Sequence, residues 1–396
     1  MKNLLLAADM LGTVNALDGA LALLTSDERS DDNRWFVTYA AGDVALDKLK
    51  SCGLEPLTPE ADFAGEIDAH KPDLVVVGAQ AGKTPSGIEV GFGFAAMNVG
   101  IPVVCYRDFS GLNDAVAGEL AMHGYADELL TFAMFDKATV GTVRERNYAC
   151  RDAVAIGSGY YDADATCDWE TLREQSRNAL GLNKDDFFVL LNCGSSSGDG
   201  ARVLEYLKPV TDGLRGSELP VCFTASFHPK DKAACLAKEE DGAWKRTGES
   251  PYFPLFGEWG PGKNVSVFDE LELRSVLSDG KARIAAADFV IANPLSTDTW
   301  TCVYGRTPFL TFDLPLTSAM AKESGIEIGE LDFVMKGACD FAESAEALES
   351  YMESLSSDYE EIAERLRVAQ SEFRAEPASL KIAEFFEKMA PDAIAF

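Results

Sequence analysis

The chain has 396 residues, 47% of them hydrophobic and 25% charged, with a formal net charge of −30 at pH 7. This length exceeds that of a single core, so two domains are expected. The negative charge opposes nonspecific binding to nucleic acid or to an anionic membrane. No apolar run is long enough for a membrane helix, and the N-terminal residues predict a β-strand in place of a secretion signal. The expected location is therefore cytoplasmic, with no nucleic-acid partner and no integral membrane segment.

Metal-ligand patterns are also missing from the sequence. The nine cysteines are scattered without a CxxC pair, and the three histidines have no zinc-type spacing. Such cysteines are typical of reduced, buried thiols. We therefore expect no His/Cys metal site.

Short apolar runs alternate with helical patterns in the first part of the chain. The predicted strands are LLLAA (4–8), WFVTYA (35–40), DLVVVGA (73–79), PVVCYRD (102–108), ELLTFA (128–133) and AVAIGS (153–158). This alternation predicts a parallel doubly wound sheet, and so a first Rossmann-like domain over residues 1–160. Residues 161–186 lack a strand pattern and are rich in acidic and polar residues, which indicates a linker with a short helix.

After residue 186 the alternation of apolar strand patterns with helical patterns begins again. The predicted strands are FFVLLN (187–192), PVCFTASF (220–227), NVSVFD (264–269), DFVIAN (288–293) and TPFLTFD (307–313). We expect a second Rossmann-like domain over residues 187–375, so that the fold class is α/β with two doubly wound domains facing a cleft. An apolar stripe in residues 376–396 predicts a last helix packed on the core; its members are Leu380, Ile382, Phe385, Phe386 and Met389.

Two strand ends in the second domain carry the residues of an anion site. After FFVLLN the chain continues with CGSSSGDG and then with helical spacing. Such a glycine and serine loop lets backbone N–H groups approach a phosphate, and the helix start adds a partial positive charge. A flexible turn without a ligand is the alternative. After DFVIAN, Ser296 and Thr297 stand where a helix would open, and they would cap it with or without a ligand.

The order of these segments resembles the GT-B fold of nucleotide-sugar glycosyltransferases, including the branch of CDP-glycerol glycerophosphotransferases and UDP-N-acetylglucosamine 2-epimerases. The resemblance is spread over most of the chain. It is carried by DLVVVGAQAG with GIPVVCYRD, ELLTFAMFDKATV leading to VAIGSGYYD, LLNCGSSSGDGARVLEYL, FHPKD at 227–231, AADFVIANPLSTDTW, YGRTPFL and ASLKIAEFF. The last of these is similar to the terminal helix that crosses back to the first domain in this fold.

The resemblance implies that the second domain binds a nucleotide-activated sugar donor and that the first presents an unidentified acceptor. The donor is then a substrate, and no cofactor is expected. The implied donor-binding residues are Gly194, Ser195, Ser196 and Ser197 beside the diphosphate, His228 at a strand end, and Ser296 with Thr297 at a helix start. One position departs from the pattern, because Thr301 stands where many members have a glutamate for the ribose.

Two branches fit the sequence less well. The DSGG-type loop of the epimerases is absent at 293–302, so we set that reaction aside. The paired histidines and basic character of glycerophosphotransferases are absent too, and that activity stays as a minor alternative.

Transfer to a hydroxyl without a metal needs a base that removes the acceptor proton. Asp9 follows the first strand, where an N-cap is the alternative role. Asp108 follows the fourth strand beside Arg107, and His123 lies near a helix end, where a C-cap contact is the alternative. Glu89 belongs to the same class of candidates.

These features predict a metal-independent GT-B transferase. A catalytically silent GT-B-like binding protein is the alternative from a different class. The sequence leaves the donor base, the sugar, the acceptor, the stereochemical outcome and a homo-oligomeric state open.

Overall fold

The structure is a computed structural model that describes residues 1–30, 33–58, 60–79, 87–109, 114–193, 200–216, 221–227, 236–238, 244–246, 265–267, 270–323, 326–373 and 377–390. The chain divides into two compact units. Unit 1 comprises Met1–Ala163, Lys322–Glu327 and Glu376–Phe396, and unit 2 comprises Asp164–Ala321 and Ile328–Ala375. Residues 164–186, which the sequence predicts as a linker, group with unit 2.

Unit 1 contains a sheet of six parallel strands in the order β2-β1-β3-β4-β5-β6. The strands are β1 (Lys2–Ala8), β2 (Trp35–Ala41), β3 (Leu74–Gly78), β4 (Val103–Tyr106), β5 (Leu130–Met134) and β6 (Asp152–Ala155). The helices between them are α1 (Leu11–Thr25), α2 (Asp43–Ser51), α3 (Phe63–His70), α4 (Gly87–Asn98), α5 (Asp114–Ala121), α6 (Ala126–Leu129) and α7 (Lys137–Glu145). All six predicted strands are present, and β5 begins two residues late because α6 occupies the residues before it.

The sheet of unit 1 is covered on both faces, as its apolar runs require. Val75, Val77, Val103 and Phe132 belong to one buried cluster, together with residues of α4 and α5. A second buried cluster joins Leu4, Leu6 and Val76 to α1 and to the last helix of the chain. Burial on both faces explains why the strand sequences are continuously hydrophobic and do not alternate.

The last helix, α18 (Ala378–Met389), packs in unit 1. Its residues Ile382 and Phe386 share a buried cluster with Leu17 and Leu21 of α1. Asp162 caps the helix, because its Oδ2 accepts the N–H of Ser379 at 3.1 Å. The prediction of a terminal helix that returns to the first domain is therefore confirmed.

Unit 2 contains a second sheet of six parallel strands, in the order β11-β8-β7-β12-β13-β14, and a separate antiparallel pair, β9 with β10. The strands are β7 (Phe187–Asn192), β8 (Val221–Ser226), β9 (Leu236–Lys238), β10 (Trp244–Arg246), β11 (Val265–Val267), β12 (Phe289–Ala292), β13 (Phe309–Phe312) and β14 (Asp340–Ala342). All five predicted strands of this domain are present. The short strands β9, β10 and β14 were not predicted.

The helices before and within unit 2 are α8 (Asp162–Ala165), α9 (Trp169–Ala179), α10 (Gly200–Gly216), α12 (Glu270–Val276), α13 (Gly280–Ala286), α14 (Asp298–Gly305), α15 (Pro315–Glu323), α16 (Asp332–Met335) and α17 (Ala345–Gln370). Helices α10 and α17 pack against each other and contribute Tyr206, Leu207, Leu348 and Met352 to the main buried cluster.

One carboxylate ties α9 to the start of the sheet in unit 2. Asp288 forms ion pairs with Arg173 and, at 2.9 Å, with Arg177. Its Oδ2 also accepts the N–H of Phe188 at 2.7 Å, which fixes the start of β7 against the start of β12. Tyr359 of α17 donates to the Asp288 carbonyl oxygen at 2.9 Å. Asp288 thus joins two strands and two helices.

The contact between α10 and α17 depends on a glycine. A Cβ at Gly213 would overlap the carbonyl oxygen of Glu349 and lie 2.7 Å from Cβ of Met352. We expect Gly213→Ala to destabilise the protein by about 1–3 kcal/mol, because the helices must separate. The matched control is Gly141→Ala in α7, where a Cβ meets nothing within 4 Å; it should be neutral or stabilising by about 0.5–1 kcal/mol. Chemical denaturation measures both, and equal effects of the two variants would contradict the prediction.

Candidate active site

Each sheet has one point at which the strand order changes direction. In unit 1, β1 lies between β2 and β3, and in unit 2, β7 lies between β8 and β12. The connections on either side of such a point leave the sheet in opposite directions and open a crevice at the carboxyl ends of the two strands, where open α/β sheets bind ligands. We call these places the unit 1 switch point, after β1 and β3, and the unit 2 switch point, after β7 and β12.

The unit 1 switch point brings together carboxylates from three elements. Asp9 follows β1, Asp108 follows β4, and Glu89 lies in the first turn of α4. Asp9 and Asp108 are half-buried, whereas Glu89 is fully buried. The two aspartates are therefore the carboxylates of this group that a ligand can reach.

Glu89 is positioned by the ends of β1 and β3. Its Oε1 accepts the backbone N–H of Asp9 at 3.3 Å. A Cβ on Gly78, the last residue of β3, would lie 2.6 Å from Oε1 of Glu89 and 2.8 Å from Oγ1 of Thr13. The absence of a side chain at Gly78 therefore leaves room for this buried carboxyl group.

Burial raises the pKa of Glu89 well above its ordinary value, and the charges of Asp9 and Asp108 raise it further. The hydrogen bond from the Asp9 backbone and the charge of Arg107 act in the opposite direction. Arg107 is itself buried and donates to the carbonyl oxygen of Ala79 at 2.9 Å. A strongly perturbed carboxyl group in a crevice is typical of catalytic sites.

Asp9 is not the N-cap of α1, since that position belongs to Met10. Asp108 lies against the same helix start, because a Cβ on Gly12 would overlap its Oδ2. The structure thus brings three of the four predicted base candidates, Asp9, Asp108 and Glu89, to one switch point.

The fourth candidate, His123, lies elsewhere in unit 1. Its Nε2 is 3.1 Å from Oδ1 of Asn98 at the end of α4, and its ring packs 5.0 Å from that of Phe94. Both α4 and α5 run back from the carboxyl edge of the sheet, so the residues that follow them lie at the amino edge. The structure therefore does not bring His123 together with Asp9 and Asp108.

At the unit 2 switch point, two polar side chains form a hydrogen bond. Asn192, the last residue of β7, donates through Nδ2 to Oδ2 of Asp298 in the first turn of α14. Burial raises the pKa of Asp298, while the Asn192 bond and the charge of Arg283 oppose this. Asn192 and Asp298 were not predicted as site residues, although Asp298 directly follows the predicted Thr297 and Asn192 lies two residues before the predicted Gly194.

Ser296 and Thr297 have different environments. Ser296 is buried, and its Oγ accepts the N–H of Asp298 at 3.2 Å. Thr297 is the exposed N-cap of α14, and its side chain makes no capping hydrogen bond. The N–H of Thr299 donates to the Ser296 carbonyl oxygen at 3.2 Å. Of the two predicted phosphate contacts, Thr297 is thus the accessible one.

The remaining predicted donor contacts lie outside the described residues. These are Gly194, Ser195, Ser196, Ser197 and His228. The structure does place the ends of the flanking elements, since β7 ends at Asn192 and α10 begins at Gly200. β7 therefore ends at the unit 2 switch point.

Thr301 has a partner within unit 2. Its Oγ1 donates to Oδ2 of Asp164 at 2.8 Å, and Oδ1 of Asp164 forms an ion pair with Lys281 at 2.8 Å. Thr301 is buried. The Thr301 side chain therefore has a structural role, since it forms a buried hydrogen bond with Asp164.

The described part of the chain holds no group of three or more His, Cys, Asp or Glu side chains arranged to bind a metal ion. None of its helices has both the length and the apolar character needed to cross a membrane.

Together the two α/β units and the returning terminal helix define the GT-B fold. The chain resembles MurG of Acinetobacter baumannii, with 12% identity and a TM-score of 0.63 over 98% of this chain and 100% of that chain. It also resembles Anabaena Alr3699/HepE in complex with UDP, with 14% identity and a TM-score of 0.57 over 98% and 100%.

The UDP-GlcNAc 2-epimerase of Methanocaldococcus jannaschii is similar as well, with 14% identity and a TM-score of 0.54 over 98% and 100%. The chain matches no protein-family model and no curated protein sequence. At these identities the likeness establishes the fold, and the GT-B prediction is confirmed.

Proposed function

We propose that this protein is a metal-independent GT-B transferase that moves a sugar or similar group from a nucleotide-activated donor to an acceptor hydroxyl. The single observation that carries the proposal is the pair of accessible carboxylates, Asp9 and Asp108, at the unit 1 switch point of a GT-B chain. Solved structures that resemble the chain support a nucleotide donor, because three of them contain UDP.

In this mechanism, Asp9 is the general base. Its carboxylate accepts the proton of the acceptor hydroxyl while the new bond to the transferred group forms. The bond from that group to the nucleotide diphosphate breaks at the same time, and the electron pair leaves with the diphosphate. The side chain of Asp108, which lies against the start of α1, stabilises the protonated form of Asp9 after transfer.

On the donor side, we propose that the loop 194–199 and the exposed Thr297 hydroxyl contact the diphosphate. Backbone N–H groups are suited to the charge that develops on the leaving oxygen. We assign a supporting role to Ser296, because its Oγ already accepts the N–H of Asp298.

A thermal-shift panel with UDP, CDP, GDP and TDP tests the donor site. A nucleotide that binds should raise the melting temperature, since ligand at 100 times its Kd stabilises by about 2.7 kcal/mol. Thr297→Trp should abolish the shift by blocking the accessible end of α14, while Ser357→Trp, at an exposed position of α17, should retain it. No shift with any nucleotide would overturn the donor proposal.

A catalytically silent binding protein is the second candidate, and Thr301 favours it. Where related enzymes have a glutamate for the ribose, this chain has a buried threonine bonded to Asp164. A silent protein would bind nucleotide in the thermal-shift panel and yet transfer and hydrolyse no nucleotide sugar.

A further inference from the structure

We propose that Tyr206 and Asn293 are positioning residues of the donor site, which hold the end of β7 and the turn before α14 in the arrangement that binds the nucleotide diphosphate. This inference deepens the proposed function and rests on it. Both residues are buried, with exposed fractions of 1% for Tyr206 and 5% for Asn293. They therefore act on a ligand through other groups, and the group that they share is the backbone carbonyl of Cys193.

The backbone of Cys193, the residue after β7, is held by three elements of unit 2. Its N–H donates to the carbonyl oxygen of Ser226 in β8 at 3.0 Å. Its carbonyl oxygen accepts Oη of Tyr206 in α10 at 2.8 Å and Nδ2 of Asn293 at 3.3 Å. A carbonyl oxygen has two lone pairs, so both bonds can form at once. Because the peptide group is planar, these bonds fix its plane at the carboxyl end of β7.

Asn293 extends this constraint across the unit 2 switch point. Its N–H donates to the carbonyl oxygen of Asn192 at 3.0 Å, and its Oδ1 accepts the N–H of Leu295 at 3.0 Å. Its own carbonyl oxygen accepts the N–H of Ser296 at 2.9 Å. Asn293 is therefore bonded both to the end of β7 and to the turn that leads to Thr297, the accessible N-cap of α14. An amide suits this position because it carries a donor for one wall of the crevice and an acceptor for the other.

Packing sets where the Tyr206 hydroxyl lies. The Tyr206 ring is buried, and its centroid is 4.8 Å from that of Phe312 in β13. A buried hydroxyl requires a hydrogen-bond partner, which the Cys193 carbonyl supplies. Phenylalanine at position 206 would keep the ring and remove the hydroxyl alone. The constraint on Cys193 can therefore be weakened without opening a cavity in the core.

Loss of this hydroxyl should reach the ligand through the population of the competent arrangement. Without it, other arrangements at the end of β7 compete with the one that binds the diphosphate. The apparent Kd rises as the binding-competent fraction falls, and one net hydrogen bond corresponds to about a three- to tenfold change. The expected effect is therefore on nucleotide affinity and not on the chemical step.

Isothermal titration calorimetry of the full chain with UDP, CDP, GDP and TDP tests the proposal. For the nucleotide that binds the wild type, Tyr206→Phe should raise Kd about three- to tenfold. The matched control is Tyr359→Phe, which removes a 2.9 Å bond to the carbonyl oxygen of Asp288, just before the start of β12. Both variants should melt at a lower temperature than the wild type, but the control should keep the wild-type Kd.

A second variant changes both walls of the crevice. Asn293→Ala removes the donor to Cys193 and the acceptor of the Leu295 N–H, so it should raise Kd further than Tyr206→Phe does. In steady-state kinetics with the corresponding nucleotide sugar, KM for the donor should rise in both variants while kcat is unchanged.

An unchanged Kd in Tyr206→Phe overturns the positioning role. An equal rise of Kd in Tyr359→Phe also overturns it, because the effect would then follow from a general loss of stability. Tyr206→Phe decides the point even should Asn293→Ala fail to fold. If the wild type binds none of the four nucleotides, the donor proposal is overturned and this inference with it, whereas binding that does not differ between the two phenylalanine variants overturns this inference alone.

Discussion

Asp9→Asn is expected to lower the rate of transfer on the order of 10²- to 10⁴-fold, the usual contribution of a general base. The asparagine keeps the size of the side chain, and the backbone N–H that bonds Glu89 is unchanged. Substrate affinity should change little, because the lost interaction belongs to the proton-transfer step. Steady-state kinetics with a nucleotide-sugar donor measure kcat and KM separately.

The controls for this experiment come from the same unit. Asp47→Asn removes an equal charge at an exposed position of α2 and should leave the rate unchanged. His123→Ala should also leave it unchanged, since that side chain lies with Asn98 at the amino edge. Asp108→Asn should reduce the rate less than Asp9→Asn does. A larger effect of Asp108→Asn would assign the base to Asp108 instead, and equal rates in every variant would remove both.

Asp288→Ala is expected to destabilise unit 2 by about 1–3 kcal/mol, because it leaves the buried Arg177 without its charged hydrogen-bond partner. The substitution leaves Arg173 and Arg177 without their carboxylate and removes the acceptor for the Phe188 N–H. Equilibrium denaturation, followed by tryptophan fluorescence and by circular dichroism, should show an earlier transition.

The matched control is Asp332→Ala, which removes the ion pair with Lys336. That lysine side chain is 47% exposed and lies one helical turn from its partner, so the loss should be under about 1 kcal/mol. Similar losses in the two variants would show that Asp288 does not stabilise the start of the sheet.

Much of the fold could be predicted because its strands are buried on both faces. Such strands are continuous apolar runs, and β7 has the bounds that FFVLLN predicts. β14 was missed because it has only three residues and begins with Asp340. The strand order that places β1 between β2 and β3 is a property of the whole sheet, and no local sequence pattern encodes it.

The site could be predicted in part for a similar reason. Asp9 directly follows β1 and Asp108 lies two residues past β4, so their edge of the sheet can be inferred from chain direction alone. Burial of Glu89 results from packing of α4 against β1 and β3, which the sequence does not display. The bond between Asn192 and Asp298 joins residues 106 positions apart, and so it needed coordinates.

The return of α18 to unit 1 has a consequence for synthesis on the ribosome. Leu17 and Leu21 of α1 share their buried cluster with Ile382 and Phe386, yet those partners are translated after nearly all of unit 2. During elongation Leu17 and Leu21 lack the partners that bury them in the folded protein. Unit 1 therefore exposes hydrophobic surface that a chaperone can recognise until translation ends. Nascent chains arrested before residue 377 should be digested by protease more readily than released chains.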